Sequence, residues 1–318
     1  MENEVTVDAK TISWEREAIE KLLLANVRER RAVRRWRMFK SMIWIVLFAA
    51  LIWVLSMDMR SGHSASGRHT AVVAIRGEIS DKSDNSADNV LPALRDALED
   101  SGSQALVLLI NSPGGSPVQA GLINDEIRRL RKKHGKPIYA VVEETCASAA
   151  YYIASAADEI YVDKASIVGS IGVLMDGFGF VGTLDKLGVE RRLLTAGENK
   201  GFLDPFSPQS EEHRQRAQLM LDQIHQQFIH AVKQGRGDRL KETPDTFSGL
   251  FWTGEQSIQL GLADDYGSLD SVARDVVKAE KIVDYTNKEN VAERFAKRFG
   301  AAVGQGAVNA LRALPVVR

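Results

Sequence analysis

Seventeen consecutive residues without a charge, Ser41-Met-Ile-Trp-Ile-Val-Leu-Phe-Ala-Ala-Leu-Ile-Trp-Val-Leu-Ser-Met57, follow directly on a strongly basic stretch. Residues 21–40 hold eight Lys and Arg against one acid, Glu29. Counted from Met38, with the Lys40 stem snorkelling, the run is 20 residues long. That is about 30 Å of helix, the thickness of a bilayer's hydrocarbon core. A cleaved signal peptide has a shorter apolar region, a short basic region and a small-residue cleavage site. Here 37 residues precede the run, and no A-x-A site follows Met57. A buried core helix would not need the basic flank. The pattern predicts a single uncleaved transmembrane helix over 38–57, with residues 1–37 cytoplasmic and the bulk of the chain across the membrane. Within 1–37, Trp14, Ala18, Leu22 and Leu23 fall near one helical stripe. The plainest role of that segment is to supply topology charge.

The rest reads as an ordinary globular chain. Of the 318 residues, 44% are hydrophobic and 26% charged. Lys plus Arg is 41 and Asp plus Glu is 42, so no basic excess points to nucleic acid. The one cysteine, Cys146, excludes an intramolecular disulfide and a Cys-rich zinc site. The six histidines show no HExxH pattern, so no dedicated metal site is expected. Residues 58–69 are small and polar and read as a linker. From Ala71, apolar runs alternate with amphipathic ones. Strands are predicted over Ala71–Ile75, Ala105–Ile110, Ile138–Val142 and Glu159–Val162. Helices are predicted over Val90–Asp100, Pro117–His134, Ala147–Ala157 and Pro208–Gln234. The run Ala-Leu-Val-Leu-Leu-Ile is apolar on both faces, as a strand buried in a parallel sheet is, and strand–helix alternation marks an α/β domain over 70–284. Residues 285–318 form an amphipathic tail. Thr286-Asn-Lys-Glu289 reads as a capping box, and Val291, Phe295, Phe299 and Ala302 share one stripe.

Four segments can carry chemistry. Asn111-Ser-Pro-Gly-Gly-Ser116 lies between a predicted strand and a helix, where glycines let backbone N–H groups turn toward an oxyanion or a phosphate; an empty tight turn has the same pattern. Thr145-Cys-Ala-Ser-Ala-Ala-Tyr-Tyr152 brings Ser148 to a helix start made of tiny residues, where a serine is more often a filler or plain N-cap than a nucleophile. Val168-Gly-Ser-Ile-Gly-Val173 is a glycine-rich bend holding Ser170. Thr195-Ala-Gly-Glu-Asn-Lys-Gly-Phe-Leu-Asp-Pro-Phe206 flanks Lys200 with glycine and aromatic residues, although most lysines are simply solvated. His134 lies at a predicted helix end, and His213, His225 and His230 lie on a long helix, so no Ser-His-Asp arrangement recommends itself.

Taken in order, these four motifs resemble the signal peptide peptidase A (protease IV) family, in its short bacterial form with one catalytic domain. The resemblance covers about residues 70–283, including Trp252-Thr-Gly-Glu-Gln-Ser-Ile-Gln-Leu-Gly-Leu-Ala263. It implies a Clp protease/crotonase-like α/β fold and a serine–lysine dyad, with no metal or organic cofactor. Ser148 falls on the family's nucleophile, Lys200 on its general base and Ser170 on the hydroxyl that orients the amine. Gly115 falls on an oxyanion-hole amide, with Gly114 beside it. Where the family has glycine after the nucleophile, this chain has Ala149 and Ala150. Cys146 is not a catalytic position of the family. The resemblance further implies apolar peptide substrates (signal peptides left in the membrane), closed bowl-like homo-oligomers, and a place in the bacterial inner membrane with the catalytic domain periplasmic. A crotonase-like acyl-CoA enzyme and a non-catalytic membrane scaffold are the competing readings. A general-base lysine must be neutral, against a reference pKa of about 10.4, and burial is what lowers it. Gly201, Phe202, Leu203 and Phe206 are expected to bury Lys200, and Glu198 to point away.

Overall fold

The computed structural model describes residues 35–49 and 67–287. The chain divides into two units, Met1–Ser64 and Ala65–Arg318. In the first, residues 35–49 form helix α1, exposed along its length. Lys40 Nζ sits 5.6 Å from the Trp36 ring centroid, and Trp36 stacks on Phe39. Among the described residues no helix is long and apolar enough to cross a membrane. The expected span 38–57 is helical as far as residue 49, and its remainder lies outside the described residues. So do 1–34, most of the linker and the tail from residue 288.

The second unit is a mixed α/β domain. Its strands are β1 (His69–Arg76), β2 (Ser103–Ser112), β3 (Ile138–Ala147), β4 (Glu159–Val162), β5 (Ile167–Gly169), β6 (Phe251–Thr253), β7 (Asp265–Tyr266) and β8 (Ile282–Asp284). They form one sheet in the order β6-β5-β3-β2-β1-β8. Every pairing is parallel except β5 with β6. The long β3 serves two neighbours in turn. Tyr139–Val141 pair with β4, and Thr145–Ala147 pair with β5.

The apolar-on-both-faces reading of β2 holds for a physical reason. Leu106, Leu108 and Ile110 face a core shared with α2 (Ala87–Glu99), α3 (Pro117–His134) and α4 (Ala149–Ala154). Val107 and Leu109 face a smaller cluster with Val72, Val141, Tyr161 and Val272. Helix α3 has the predicted bounds because its ends are encoded locally. Ser116 caps Gln119 N, Pro117 opens the helix, and Gly135 closes it in the left-handed conformation. The helix expected over Ala147–Ala157 is shorter, Ala149–Ala154, because β3 keeps its ladder with β5 through Ala147. Helix α5 (Val181–Leu187) and the long α6 (Glu211–Arg236) follow, then α7 (Gly254–Gln259).

Both ends of the domain are tied at one corner. His69 is fully buried and its Nε2 lies 3.0 Å from the Tyr285 hydroxyl, which donates to Asp100 Oδ2 at 2.6 Å. Thr286 Oγ1 accepts from Ala74 N at 2.8 Å. The sheet therefore takes in His69, read from the sequence as linker, and leans on Tyr285 and Thr286, read as tail. The Thr286 hydroxyl, the expected helix cap, is bonded to a strand.

Candidate active site

Strand β3 ends at Ala147 and α4 begins at Ala149, so Ser148 makes the whole turn between them, with φ 52° and ψ −122°. A residue with a side chain seldom adopts this conformation, which costs about 1–3 kcal/mol and persists only where neighbours enforce it. Here its N–H donates to Gly169 O at 2.9 Å and its carbonyl accepts from Tyr152 N at 3.0 Å. Its hydroxyl makes no capping hydrogen bond. The main chain is held and the side chain is left available, the arrangement of a sharp strand–turn–helix nucleophile elbow.

Gly114 and Gly115 lie against this turn. A Cβ on Gly114 would stand 2.7 Å from Ser148 Cβ and 3.0 Å from Ala149 N. The close backbone approach that glycine after the nucleophile would give is thus supplied from the facing loop. Ala149 and Ala150 are buried where they stand. Gly114 N donates to Ser112 Oγ at 3.2 Å, and Gly114 O accepts from Ile79 N at 2.9 Å. Ser116 N donates to Ile79 O at 2.7 Å. Between these pinned residues Gly115 is exposed, and its amide donates to no described residue. Ala149, at the first position of α4, likewise has an uncommitted N–H. Two such amides beside a strained serine are the type of donor that a negatively charged oxygen takes.

Ser170 is a second serine with φ 52°. It follows Gly169 at the end of β5, and its N–H donates to Leu250 O at 2.8 Å. Since Ala147 pairs with Gly169, Ser148 and Ser170 leave adjacent strands at the same level. His225 Nε2 donates to Ile171 O at 3.0 Å and ties α6 to this bend, which accounts for that histidine.

Lys200 is placed differently. It lies on an exposed turn of the 173–210 segment, and Phe202 and Leu203 are only half-buried. The expected burial of Lys200 by its own flanking residues does not occur within one chain, because those side chains pack elsewhere. Phe206 stacks on Phe180, Phe202 meets His213 edge-on, and Asp204 pairs with Arg191. Glu198 is also exposed. Ser148, Ser170, Gly114 and Gly115 are therefore gathered by the fold, and no hydrogen bond joins Lys200 to them among the described residues. Burial pushes the Cys146 thiol far up, so it stays an inert protonated core group.

Residues 130–283 match the model of Peptidase family S49. This chain carries an S49 domain. A putative signal peptide peptidase of Enterococcus faecium is 28% identical over 230 residues, 70% of this chain and 67% of that protein. A putative protease of Methanocaldococcus jannaschii is 32% identical over 198 residues, 62% of each. Higher identity, 48% over 181 residues, is found with proteins of Brucella abortus and Brucella melitensis named Na(+)/H(+) antiporter NhaA. That match takes in 57% of this chain and 25% of each antiporter, so the chain spans about a quarter of those relatives.

Sequence reasoning did not find the residues that hold the Ser148 turn and its facing loop in shape. Ile79, Ser112, His225 and Leu250 act through main-chain or short side-chain bonds, which no local motif announces. The Ser112 hydroxyl beside Pro113-Gly114 was the one legible signal.

Proposed function

We propose that this chain is a membrane-anchored serine endopeptidase that cleaves apolar peptides, signal peptides remaining in the membrane among them. The observation that carries the reading is Ser148, strained at φ 52° with its hydroxyl uncapped, beside the free Gly115 and Ala149 amides in an S49 domain. Lys200 takes the Ser148 proton as Oγ attacks the scissile carbonyl. The two amides hold the tetrahedral oxyanion, which is worth roughly 3–4 kcal/mol per effective donor. Lys200 then protonates the leaving amine, and water attacks the acyl-enzyme with Lys200 again as base. The Ser170 hydroxyl orients the amine. The domain would have a Clp protease/crotonase-like architecture, in keeping with its mainly parallel sheet.

Two features support assembly into a homo-oligomer that completes this site. Lys200 is exposed in a single chain, whereas a general-base lysine needs an apolar, water-poor setting. The segment bearing it exposes Leu174 (81%), Phe178 (79%) and Leu194 (97%), large apolar side chains of the kind an interface covers. A second copy seated there would supply the missing burial. The basic flank and apolar run of 21–57 support an inner-membrane anchor with the S49 domain periplasmic, next to the peptides it would cut. The name of the Enterococcus relative favours the same substrate class.

The test is hydrolysis of a signal-peptide-like substrate by the full chain in detergent. Cleavage should disappear in both Ser148→Ala and Lys200→Ala with oligomer size unchanged. Cleavage that survives Lys200→Ala would overturn the dyad.

A further inference from the structure

Three main-chain events meet at Gly169. Its carbonyl accepts from Ser148 N, the following residue donates Ser170 N to Leu250 O, and its own φ is 110°. Both strained serines thus depend on where Gly169 stands. Strand β5 that carries it is only three residues long, paired over three residues to β3 and over three to β6. So short a strand has few ladder bonds to fix its end. What lies against it is Trp252, the middle residue of β6, partnered in register with Val168. A Cβ on Gly169 would stand 2.8 Å from Trp252 Cδ1 and 3.5 Å from its Nε1, so the indole is seated on the glycine itself. The ring is packed against the main core. Its buried N–H makes no hydrogen bond to a described residue, so packing alone sets the position of the ring.

We propose that Trp252 is a positioning residue for the reaction: its indole, pressed on Gly169, holds the end of β5 at the level that keeps Ser148 and Ser170 in their left-handed conformations. The proposal rests on Ser148 being the nucleophile. Strained backbone relaxes when the packing that over-determines it is removed. A misplacement of reacting groups by about 1 Å costs on the order of 100-fold in rate. Trp252 touches no reacting atom, so its loss should slow the chemistry without weakening peptide binding.

The experiment measures covalent labelling of the full chain in detergent by a fluorophosphonate, in which the serine oxygen displaces fluoride at phosphorus. It is read alongside kcat and KM for a signal-peptide-like substrate. Trp252→Ala is expected to label about 100-fold more slowly and to lose kcat in step, with KM and oligomer size unchanged. Trp252→Phe keeps a flat ring over Gly169 and is expected to recover most of the rate. Should Trp252→Ala not fold, Trp252→Leu, which retains apolar volume but no flat ring, carries the same expectation. Labelling at the wild-type rate in the folded Ala or Leu variant, or a loss confined to KM, overturns the proposal. Labelling that persists in Ser148→Ala would instead strike at the nucleophile assignment, which keeps the two failures apart.

Discussion

A Cβ on Gly115 would lie 2.1 Å from the Ile79 carbonyl oxygen, with φ already at 143°. Gly115→Ala must therefore push the 79–80 backbone away or turn the peptide, and either movement takes the free amide off its aim. The expected result is a loss of roughly 100–1,000-fold in kcat, the usual effect of removing an oxyanion donor, together with about 1–3 kcal/mol of stability from backbone strain. Steady-state kinetics and urea unfolding of the same sample check both. Ser112→Ala is gentler. It frees Gly114 N from its 3.2 Å bond and should lower kcat severalfold at unchanged KM, with about 1 kcal/mol lost. At this scale the glycine pair and the serine among tiny residues were legible, because their chemistry is local. The Ile79 carbonyl was not, since nothing near it in sequence says that it meets Gly115.

The elements that carry these residues were legible where their ends are written in side chains. Helix α3 has its Ser cap, its Pro and its Gly, and was read to the residue. Helix α4 was read too long, because only the β3–β5 ladder shows where the strand gives way. The loop after β1 is a strap on the Gly114–Gly115 turn, and Asn85 holds it. Its Oδ1 accepts from Arg76 N, and its Nδ2 donates to Arg76 O and Glu78 O. Asn85→Ala removes three hydrogen bonds to partly buried main-chain groups and should cost about 1–3 kcal/mol. It should also slow catalysis more than it weakens substrate binding, because Ile79 rides on the strap. Denaturant midpoints with paired kcat and KM values decide that. In the 173–210 segment Phe206 stacks on Phe180 and Phe202 meets His213 of α6, while Leu174, Phe178 and Leu194 are exposed. Phe178→Ser with Leu194→Ser should lower oligomer size and activity together in sizing chromatography and peptide assays.

Across the whole domain, stability is tied to two ionic clusters. Glu126 on α3 accepts from Arg129 at 2.6 Å, against the cost of burial, and from Arg95 at 2.6 Å, and its carboxyl is held down at about 2. A folded-state value below the unfolded one stabilises at higher pH. Its contribution is complete above about 4.5 and is lost as pH falls toward 2. Thermal unfolding between those limits should fall more steeply for the wild type than for Glu126→Gln. The second cluster locks α6 to the sheet. Burial would raise the Asp264 carboxyl, but Arg236 and Arg239 overcome it and hold the group low. Arg236 is 1% exposed, so Asp264→Ala leaves a buried cation without its partner and should cost about 3–5 kcal/mol in urea unfolding.

What the sequence by itself determined are properties that follow from composition, period and short-range chemistry. These are a parallel α/β domain, from strands apolar on both faces alternating with helices, and the glycine and serine segments that the fold gathers, from residue types that suit one local backbone. What only the tertiary structure decided is how those segments are held. Ser148 and Ser170 come level because β3 pairs with β5, and Gly115 N is left free because Ile79 occupies its neighbours. Lys200 stands in solvent because its aromatic flanks pack elsewhere, Phe206 on Phe180 and Phe202 on His213. Each of these rests on contacts between residues far apart in the chain, and such contacts exist only once the main chain has closed.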